Sequence, residues 1–585
     1  MRLAAQYLSF AILIYEDKIF DVGAPLGISY PIVNIIFQTI RTRMMAVTEN
    51  ETQPQATSPL VSFHGFVFPF EWYSSAGNED GFLAGLNHLA EMARCMTLES
   101  GWIEVEQHDL PKSTTQYNER NYFYDFVRPA LYDGHHGRPG DIVRCYRHEL
   151  TGAAQYQITT EKKTFKLRIA AIELKLYAIG IGILSLHLLN ESPDQADPED
   201  IIEINQYGRR LFPPFYRVDH QDPGADDYYT QTNWNEGLNA HAELPKKIEL
   251  TGIGQKSWPT TFEAERTEGC LNQIPGLIQF LLPEDLLKRV LITPVLDDRM
   301  FVVSWYGNPE LAKKCKAILA GAAAPYLTSD WWYRYLFVDG AWRTCQDAEM
   351  MEQLLRAHTY TRWSGLGTIS GIARYSWVSL SDALPEVPAY VIAHIRTIYF
   401  RMVELALLQR ACVLRFSEEV TRISALRSGD RHLPGRMERL FREYLRFVNK
   451  LNFREVTAQE QGIEMYDMLR RSMRLDEQIK DLDAQIHELH NYAASLGEAS
   501  RNAKLDLLTL LGAVLGVPTF ISTVYGIMEY KVMEHPWWPI MWVYLLSVLF
   551  ALGIAKAPNK MGRTVFIVLL LGALAIGFMA PVWNS

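Results

Sequence analysis

The chain has 585 residues, of which 48% are hydrophobic and 21% charged, so it is long enough for several domains with separate cores. Its net charge of −10 disfavours a nucleic-acid-binding protein, because such a protein needs surplus Lys and Arg to displace counterions from phosphate. The six cysteines are scattered without a CxxC pair, which favours buried thiols in a reducing compartment over disulfides or a zinc site.

The N-terminal part of the chain has a mixed α/β pattern. Charged residues at positions 16 to 18, without a small-residue cleavage site, predict a first strand over Gln6–Tyr15 rather than a signal peptide. Alternating apolar and charged residues predict consecutive strands over Tyr156–Leu189. A helix near Pro198–Arg209 and a strand near Arg299–Trp305 are expected further along.

After about residue 346 the pattern predicts helices. Long helices are expected near Pro388–Ile423 and Pro434–Asn449. A heptad spacing of apolar residues then runs from position 465 to position 496 and is broken only at Ser472. Because no proline lies between Arg454 and Val517, the sequence predicts one very long helix that continues to the membrane.

Three apolar segments near the C-terminus predict membrane helices, each about long enough to cross a bilayer core of ~30 Å. The predicted spans are 505–528, 537–555 and 564–582. Three basic residues lie between the second and third spans: Lys556, Lys560 and Arg563. The positive-inside rule therefore places the large N-terminal body in the cytoplasm. The expected location of the protein is the cell inner membrane. With only two spans, the last segment would lie at the interface.

Small and hydroxyl-bearing residues form one face of the first predicted span, roughly opposite a stripe of large apolar side chains. These residues are Thr509, Gly512, Gly516, Thr519, Thr523 and Gly526. Such a face allows two helices to approach closely. It can also line a narrow aqueous path, in which hydroxyls and carbonyls replace part of an ion's hydration shell. The residue pattern leaves both uses open.

Acidic residues continue this face back along the predicted stalk helix. They are Glu477, Asp481, Glu488 and Glu498. Their charge predicts a cytoplasmic vestibule that concentrates cations near a pore entrance. The alternative is an ordinary solvated helix face.

Other motifs carry weaker expectations. The histidines of Asp133–Asp141 lie in a Gly- and Pro-rich turn, which favours exposed side chains over a metal site. His487 and His490 lack the HExxH spacing of zinc hydrolases, so a solvated helix face is expected. Gly365–Gly371 does not fit a dinucleotide fingerprint and predicts a loop. Since no nucleophile–base pairing is evident, an enzyme is not predicted.

The run Pro518–Met528 resembles the end of the first membrane helix of the CorA family of divalent-cation channels, where a Pro- and Thr-containing helix ends in Tyr-Gly-Met-Asn. The external loop with Glu529 and Glu534, before a Trp-rich start to the next span, resembles the continuation of that motif. The segment from Arg454 resembles the family's stalk helix. The resemblance covers about residues 450–555.

The resemblance implies a homopentamer whose first spans surround a pore, with a divalent cation such as Mg²⁺ as the permeant or regulatory ion. It implies that Thr519, Thr523 and Gly526 face the pore. The implied filter motif is Tyr525, Gly526, Ile527 and Met528. Met528 stands where the family has Asn, and a thioether is a poor partner for a hard ion that prefers oxygen ligands. Selectivity for Mg²⁺ is therefore not implied.

The expected fold is an α+β cytoplasmic body with a long helical stalk and C-terminal transmembrane helices, arranged as a CorA-like funnel. The predicted regions are 1–150 and 151–345 (both α/β), 346–504 (helical, with the stalk) and 505–583 (transmembrane). The predicted function is an oligomeric channel for metal cations, gated by the cytoplasmic body. The alternative is a membrane-tethered defence effector, like the CorA-like effectors associated with type III CRISPR systems, which a small cytoplasmic ligand activates to disrupt the membrane. The expected partners are the membrane, further copies of the chain and a small-molecule ligand, with no nucleic acid.

Overall fold

A large mixed β-sheet with helices packed on both of its faces forms the described part of the chain, which was obtained as a computed structural model. The described residues are 60–74, 89, 95–96, 100–105, 114–132, 142–150, 152–160, 162–211, 247–253, 256–260, 275–296, 299–316, 324–382, 387–426 and 433–495, with the isolated positions 505, 508, 512, 545 and 549. All of them belong to the second of two compact units, Leu60–Ser585. The expected mixed α/β body with long helices is confirmed. The predicted first strand, Gln6–Tyr15, lies outside the described residues.

Thirteen strands form this sheet. They are β1 (Ser62–Ser74), β2 (Trp102–Glu104), β3 (Val143–His148), β4 (Gln155–Thr159), β5 (Thr164–Tyr177), β6 (Ile181–Asn190), β7 (Lys247–Ile253), β8 (Lys256–Thr260), β9 (Val290–Pro294), β10 (Phe301–Gly307), β11 (Thr359–Tyr360), β12 (Ile369–Ile372) and β13 (Ser376–Ser381). The main order is β11-β12-β13-β10-β1-β6-β5-β4-β7-β8, with β2 and β3 alongside β5 and β9 alongside β1. Only β10 and β13 pair in parallel among these strands. The strands predicted over Tyr156–Leu189 and near Arg299–Trp305 are confirmed.

The helices of the described residues follow the same chain order. They are α1 (Thr114–Tyr122), α2 (Arg128–Leu131), α3 (Pro198–Gly208), α4 (Gly276–Leu281), α5 (Glu284–Arg289), α6 (Pro309–Lys316), α7 (Asp330–Phe337), α8 (Ala348–His358), α9 (Val387–His394), α10 (Phe400–Ser424), α11 (Leu433–Lys450), α12 (Glu460–Met473) and α13 (475–495). The predicted helix near Pro198 is confirmed as α3, which begins where the Asp197 side chain accepts a hydrogen bond from the Glu199 amide. The two long helices predicted near Pro388–Ile423 and Pro434–Asn449 are also confirmed, as α9 to α10 and α11.

Two expectations for the chain after residue 346 are wrong. Strands β11 to β13 continue the sheet between α8 and α9, and β12 takes up the second half of the segment predicted to be a loop, Gly365–Gly371. Every residue of β12 and β13 is buried. A strand covered on both faces loses the alternation that marks a half-buried strand. Pairing of β13 with β10 and of β12 with β13 therefore sets these short strands, rather than a local pattern.

Strand β1 shows how the sheet separates two apolar cores. Phe63 and Val67 belong to the core on the side of α10, whereas Phe66, Phe68 and Phe70 belong to the core on the other face. All five side chains are fully buried. Because both faces of β1 are covered, it is a nearly continuous apolar run in the sequence.

The predicted single stalk helix is divided in the structure. Helix α12 ends at Met473, Arg474 adopts the left-handed conformation with φ 56°, and α13 begins at position 475. A left-handed backbone is unfavourable for an L-residue with a Cβ. Tertiary contacts hold the break, because the almost fully buried Arg470 of α12 donates to Gln409 Oε1 on α10 and to Asp476 Oδ1 beyond the break.

The heptad spacing itself is confirmed on both sides of the break. Its buried members are Met465, Leu475, Ile479, Leu482, Ile486 and Ala493. Helix α13 packs against α11, since Tyr444 Oη donates to Asp483 Oδ1 (2.9 Å) and the rings of Phe441 and His490 stack with centroids 4.2 Å apart. A solvated helix face was expected for both His487 and His490. It is found for His487, whose side chain is 54% exposed, but His490 is half-buried against α11.

Candidate functional site

The predicted pore face lies almost entirely outside the described residues. Gly512 is the one member that is described; it is helical and exposed, and no atom of the described residues outside its own helix lies within 4 Å of the position a Cβ would take. The remaining pore positions, the filter motif and the external-loop acids fall outside the described ranges. These are Thr509, Gly516, Thr519, Thr523, Gly526, Tyr525, Ile527, Met528, Glu529 and Glu534.

Three of the four predicted vestibule acids are described, and all three are exposed on α13. Glu477, Asp481 and Glu488 recur at helical spacing on one face, roughly opposite the buried heptad seam. Glu477 also pairs with Arg474 at the helix break (2.7 Å). Glu498 lies outside the described residues. The acids thus share one solvent-facing side of α13, and their role as a vestibule stays a prediction.

Within the described ranges, no helix combines the length and the apolar character that crossing a membrane requires. The three predicted spans lie outside those ranges, apart from four isolated exposed leucines and Gly512. The leucines are Leu505, Leu508, Leu545 and Leu549. Across the same part of the chain, no group of three His, Cys, Asp or Glu side chains is arranged to hold a metal ion. The turn Asp133–Asp141 is not among the described residues.

A buried cluster of charged side chains connects the sheet to α10. This core ion cluster consists of Glu119 on α1, Glu173 and Lys175 on β5, and Arg401 and Glu404 on α10. The side chains of Lys175 and Glu404 are 5% and 1% exposed. Because an isolated buried charge is very unfavourable, such a cluster requires close ion pairs between its members.

Arg401 lies at the centre of the core ion cluster and contacts all three of its carboxylates. Its guanidinium is 2.9 Å from Glu119, 2.8 Å from Glu173 and 2.9 Å from Glu404. Lys175 Nζ completes the pairing at 2.6 Å from Glu404. One guanidinium therefore holds a helix of the N-terminal part, a central strand and α10 together.

The pKa values in the cluster follow from this geometry. Burial raises the pKa of Glu173 and of Glu404, but the neighbouring positive charges together more than offset it: Arg401, His187 and Arg147 at Glu173, and Arg401 and Lys175 at Glu404 hold both pKa values below the ordinary value. The same carboxylates raise the pKa of Arg401 despite its burial. Glu173, Glu404 and Arg401 are thus ionised at neutral pH.

The sequence did not reveal this cluster. The alternation of apolar and charged residues in β5 predicts a strand with one wet face, yet Glu173 and Lys175 are only 8% and 4% exposed because α10 covers that face. Their partners Arg401 and Glu404 come more than 200 residues later in the chain. The available signal was a Glu and a Lys in the second, otherwise apolar half of a strand of 14 residues.

A second polar group lies where α10 meets the stalk. Arg470 on α12 donates to Gln409 Oε1 (2.5 Å), to the carbonyl oxygen of Phe453 (2.9 Å) and to Asp476 Oδ1 (2.6 Å). Gln409 in turn donates to the carbonyl oxygen of Leu451 (2.9 Å). We call these five residues the stalk junction. It joins α10, the irregular segment before α12, and both helices flanking the break at residue 474.

The structure also brings together a Ser–His–Asn row in the core. His64 Nδ1 lies 2.7 Å from Asn205 Oδ1, and His64 Nε2 lies 2.9 Å from Ser62 Oγ, which also accepts a hydrogen bond from Asn190. These side chains resemble a catalytic triad in residue type only. Ser62, His64 and Asn190 are 0% exposed and Asn205 is 1% exposed, so a substrate could not reach the serine.

The hydrogen bonds of this row suit a neutral imidazole. Asn190 donates to Ser62, Ser62 donates to His64 Nε2, and His64 Nδ1 donates to Asn205. A proton on Nε2 would leave the Ser62 hydroxyl hydrogen without this acceptor. Burial lowers the pKa of His64 to about 4, in agreement with this arrangement.

Replacing His64 with glutamine is expected to flatten the acid dependence of stability. The pKa of His64 is about 4 in the folded protein and has its ordinary value of 6.5 in the unfolded chain. Between pH 6.5 and pH 4 the histidine is therefore protonated only when the chain is unfolded, so stability falls as the pH drops through this range. For one such histidine the loss amounts to about 3 kcal/mol. Denaturant unfolding of the full chain in detergent, measured from pH 7.5 to pH 4, tests this. His487→Gln, at an exposed site on α13, is the control, and an unchanged slope in His64→Gln would contradict the assignment.

The described cysteines are all buried, and none of them forms a disulfide with another described cysteine. They are Cys95, Cys145, Cys315, Cys345 and Cys412. Burial raises the pKa of the Cys315 thiol to about 11, which keeps it protonated and apolar. Cys315 lines a shallow pocket of about 50 Å³ together with Lys314, Tyr326, Trp331 and Trp332. This space holds a few water molecules at most, so it is not a binding site for a sizeable ligand.

Comparison with protein families decides which part of the chain carries a recognisable function. Residues 417–556 match the family described as CorA-like Mg²⁺ transporter protein. This segment is CorA-like. No curated protein and no solved structure matches the chain. The CorA-like segment starts within α10 and includes α11, the stalk junction helices and the first two predicted spans, so it begins earlier than the resemblance at about residue 450 indicated.

The match has two consequences for interpretation. It supports transport of a divalent cation, rather than catalysis, as the kind of function. It also leaves the large sheet body and the third predicted span, 564–582, outside the CorA-like segment. The core ion cluster belongs to the body, whereas the later part of α10 belongs to the CorA-like segment. Helix α10 is therefore the physical connection between the two parts.

Proposed function

We propose that the protein is a CorA-like, oligomeric membrane channel for metal cations, opened and closed by its cytoplasmic body. The observation that carries this proposal is the family match over residues 417–556. The small-and-hydroxyl face of the first predicted span supports a pore lining, with a pentamer as the assembly that the resemblance implies. The funnel shape and the inner-membrane location are parts of the same proposal.

The contacts of α10 support a gating role for the body. Near the start of α10, Arg401 and Glu404 pair with charges on the sheet and on α1. Further along the same helix, Gln409 belongs to the stalk junction and accepts a hydrogen bond from Arg470. Breaking a buried ion pair would leave an uncompensated charge, so these pairs stay intact when the sheet moves, and α10 moves with the sheet. In this proposal, movement of the body reaches α13 and the first span through α10 and Arg470.

The filter position determines the choice of ion. A thioether at Met528 offers no hard oxygen ligand to a hydrated Mg²⁺ ion, whereas the asparagine of the family motif does. We therefore propose weak selectivity for Mg²⁺ over monovalent cations. The acids Glu477, Asp481, Glu488 and Glu498 would raise the local cation concentration at the cytoplasmic entrance.

Flux measurements on the full-length protein in liposomes test the proposal. Cation entry is expected, and Met528→Asn is expected to raise the ratio of Mg²⁺ flux to K⁺ flux several-fold. Met533→Asn, in the predicted external loop, is the matched control and should leave the ratio unchanged. Absence of cation flux under all conditions would refute the channel. Release of a large dye that requires an added small ligand would instead favour the membrane-disrupting defence effector.

A further inference from the structure

A π-helical turn, Ile395–Tyr399, lies between α9 and α10. π-Helical hydrogen bonds are rare, and single wide turns within α-helices often occur at functional sites. In this turn Ile395, Ile398 and Tyr399 are buried in the core, and Arg396 is only half-buried. The turn therefore places one arginine at the edge of the packed interface between the helix and the sheet.

Arg396 has no counter-ion in direct contact. Its guanidinium lies 5.8 Å from the centre of the Phe63 ring, and among the described residues it makes neither a hydrogen bond nor an ion pair. Burial and then the charge of Arg168 lower its pKa. A partly buried guanidinium normally has an acceptor, because an arginine carries five donors and a permanent charge.

The neighbouring charges leave the site positive. Arg168 on β5 donates two hydrogen bonds to Glu191, from Nε at 2.9 Å and from Nη2 at 2.6 Å. Their side chains are 45% and 28% exposed, so the group is open to solvent. Phe63, beneath Arg396, pairs with Leu189, and Leu189 pairs with Arg168, so the two arginines lie over one cross-strand row of the sheet. The carboxylate of Glu191 is held by Arg168 rather than by Arg396.

We propose that Arg396 and Arg168 form a binding site for an oxyanion, the phosphate or carboxylate group of a small solute. The planar guanidinium groups suit such a ligand, because each can donate two parallel hydrogen bonds to it. Glu191 competes with the ligand for Arg168. Both arginines lie outside the CorA-like segment, and Arg396 directly precedes α10, so a bound anion would contact the start of that helix.

Titration of the full chain in detergent with inorganic phosphate, pyrophosphate or citrate tests the site, with chloride as the blank. Phosphate, pyrophosphate or citrate is expected to bind saturably, and the strongest binder of the three distinguishes a phosphoryl from a carboxylate ligand. Arg396→Gln is expected to weaken binding at least ~10-fold, and Arg396→Lys to weaken it less because the charge remains. Arg356→Gln, at an exposed pair with Glu352, is the matched control.

Glu191→Gln gives the decisive result, because it removes the competing carboxylate and is expected to tighten binding several-fold. A purely structural role for these residues would not produce a gain. Absence of saturable binding by all three anions, equal binding in Arg396→Gln, or no tightening in Glu191→Gln would each overturn the proposal. If Arg396→Gln does not fold, the Glu191→Gln titration alone decides.

Discussion

Replacing Arg401 with methionine is expected to destabilise the protein by about 3–5 kcal/mol at neutral pH. The substitution removes the one cation that contacts Glu119, Glu173 and Glu404. Lys175 still pairs with Glu404 and Arg147 still pairs with Glu173, but each of the three carboxylates loses its contact with the central guanidinium. The loss is large because these buried carboxylates keep their desolvation cost while part of their charge is no longer compensated.

The pH dependence of this variant distinguishes a charge effect from a packing effect. In the wild type, the pKa values of Glu173 and Glu404 lie below the ordinary value of 4.5, so their stabilisation is complete above that value and is lost as the pH falls toward the folded pKa values. In Arg401→Met these carboxylates are expected to take up protons at higher pH, which relieves the uncompensated charge. The stability deficit should therefore shrink as the pH falls from 7.5 to 5.

Denaturant unfolding of wild type and variant at several pH values measures this deficit. Arg356→Met is the matched control, because Arg356 pairs with Glu352 on the surface of α8, and exposed pairs contribute at most about 1 kcal/mol. A deficit below 1 kcal/mol in Arg401→Met, or one that does not change with pH, would contradict the role assigned to the core ion cluster.

Replacing Arg470 with methionine is expected to cost about 3 kcal/mol and to loosen the stalk junction. Arg470 is 2% exposed and donates to two buried acceptors, Gln409 Oε1 and the Phe453 carbonyl oxygen. Methionine fills a similar volume but offers no donor, so both oxygens lose a partner. The link from α12 to Asp476, beyond the helix break, is also lost.

Hydrogen exchange and denaturant unfolding together test this second expectation. Faster exchange is expected first in the segment before α12 and in the first turns of α13, on either side of the break at Arg474. Arg471→Met is the matched control, because the neighbouring Arg471 is exposed and, within the described ranges, its side chain donates only to the Asp467 carbonyl oxygen. If Arg471→Met and Arg470→Met have the same effect, the junction does not depend on the buried guanidinium.

The sequence alone accounts for much of the local structure. The residue pattern predicts the consecutive strands β5 and β6 and the helix near Pro198–Arg209, and heptad spacing predicts which side of α12 and α13 is buried. The Pro518–Met528 motif is sufficient to indicate the CorA-like family, which the match over residues 417–556 confirms. These features depend on neighbouring residues or short repeats, so one chain without tertiary information contains them.

Other features depend on contacts between distant parts of the chain. Strands β12 and β13 look irregular in the sequence because burial on both faces and strand pairing determine them, β13 with β10 and β12 with β13. The helix break at Arg474 contradicts an uninterrupted helical pattern, since side chains of α12 bond to the sheet and to α10. The ion pairs of Arg401 join residues more than 200 positions apart, which no local pattern predicts.

The apolar C-terminal segments illustrate the same division. Composition and the basic loop between the second and third segments predict membrane spans and orientation, because transfer of side chains to lipid depends on residue type rather than on partners. The sequence by itself thus determined the CorA-like segment and its expected relation to the membrane. Only the tertiary structure decided how the body is joined to that segment, because buried charges at Arg401 and Arg470 are stable only beside partners that folding brings to them.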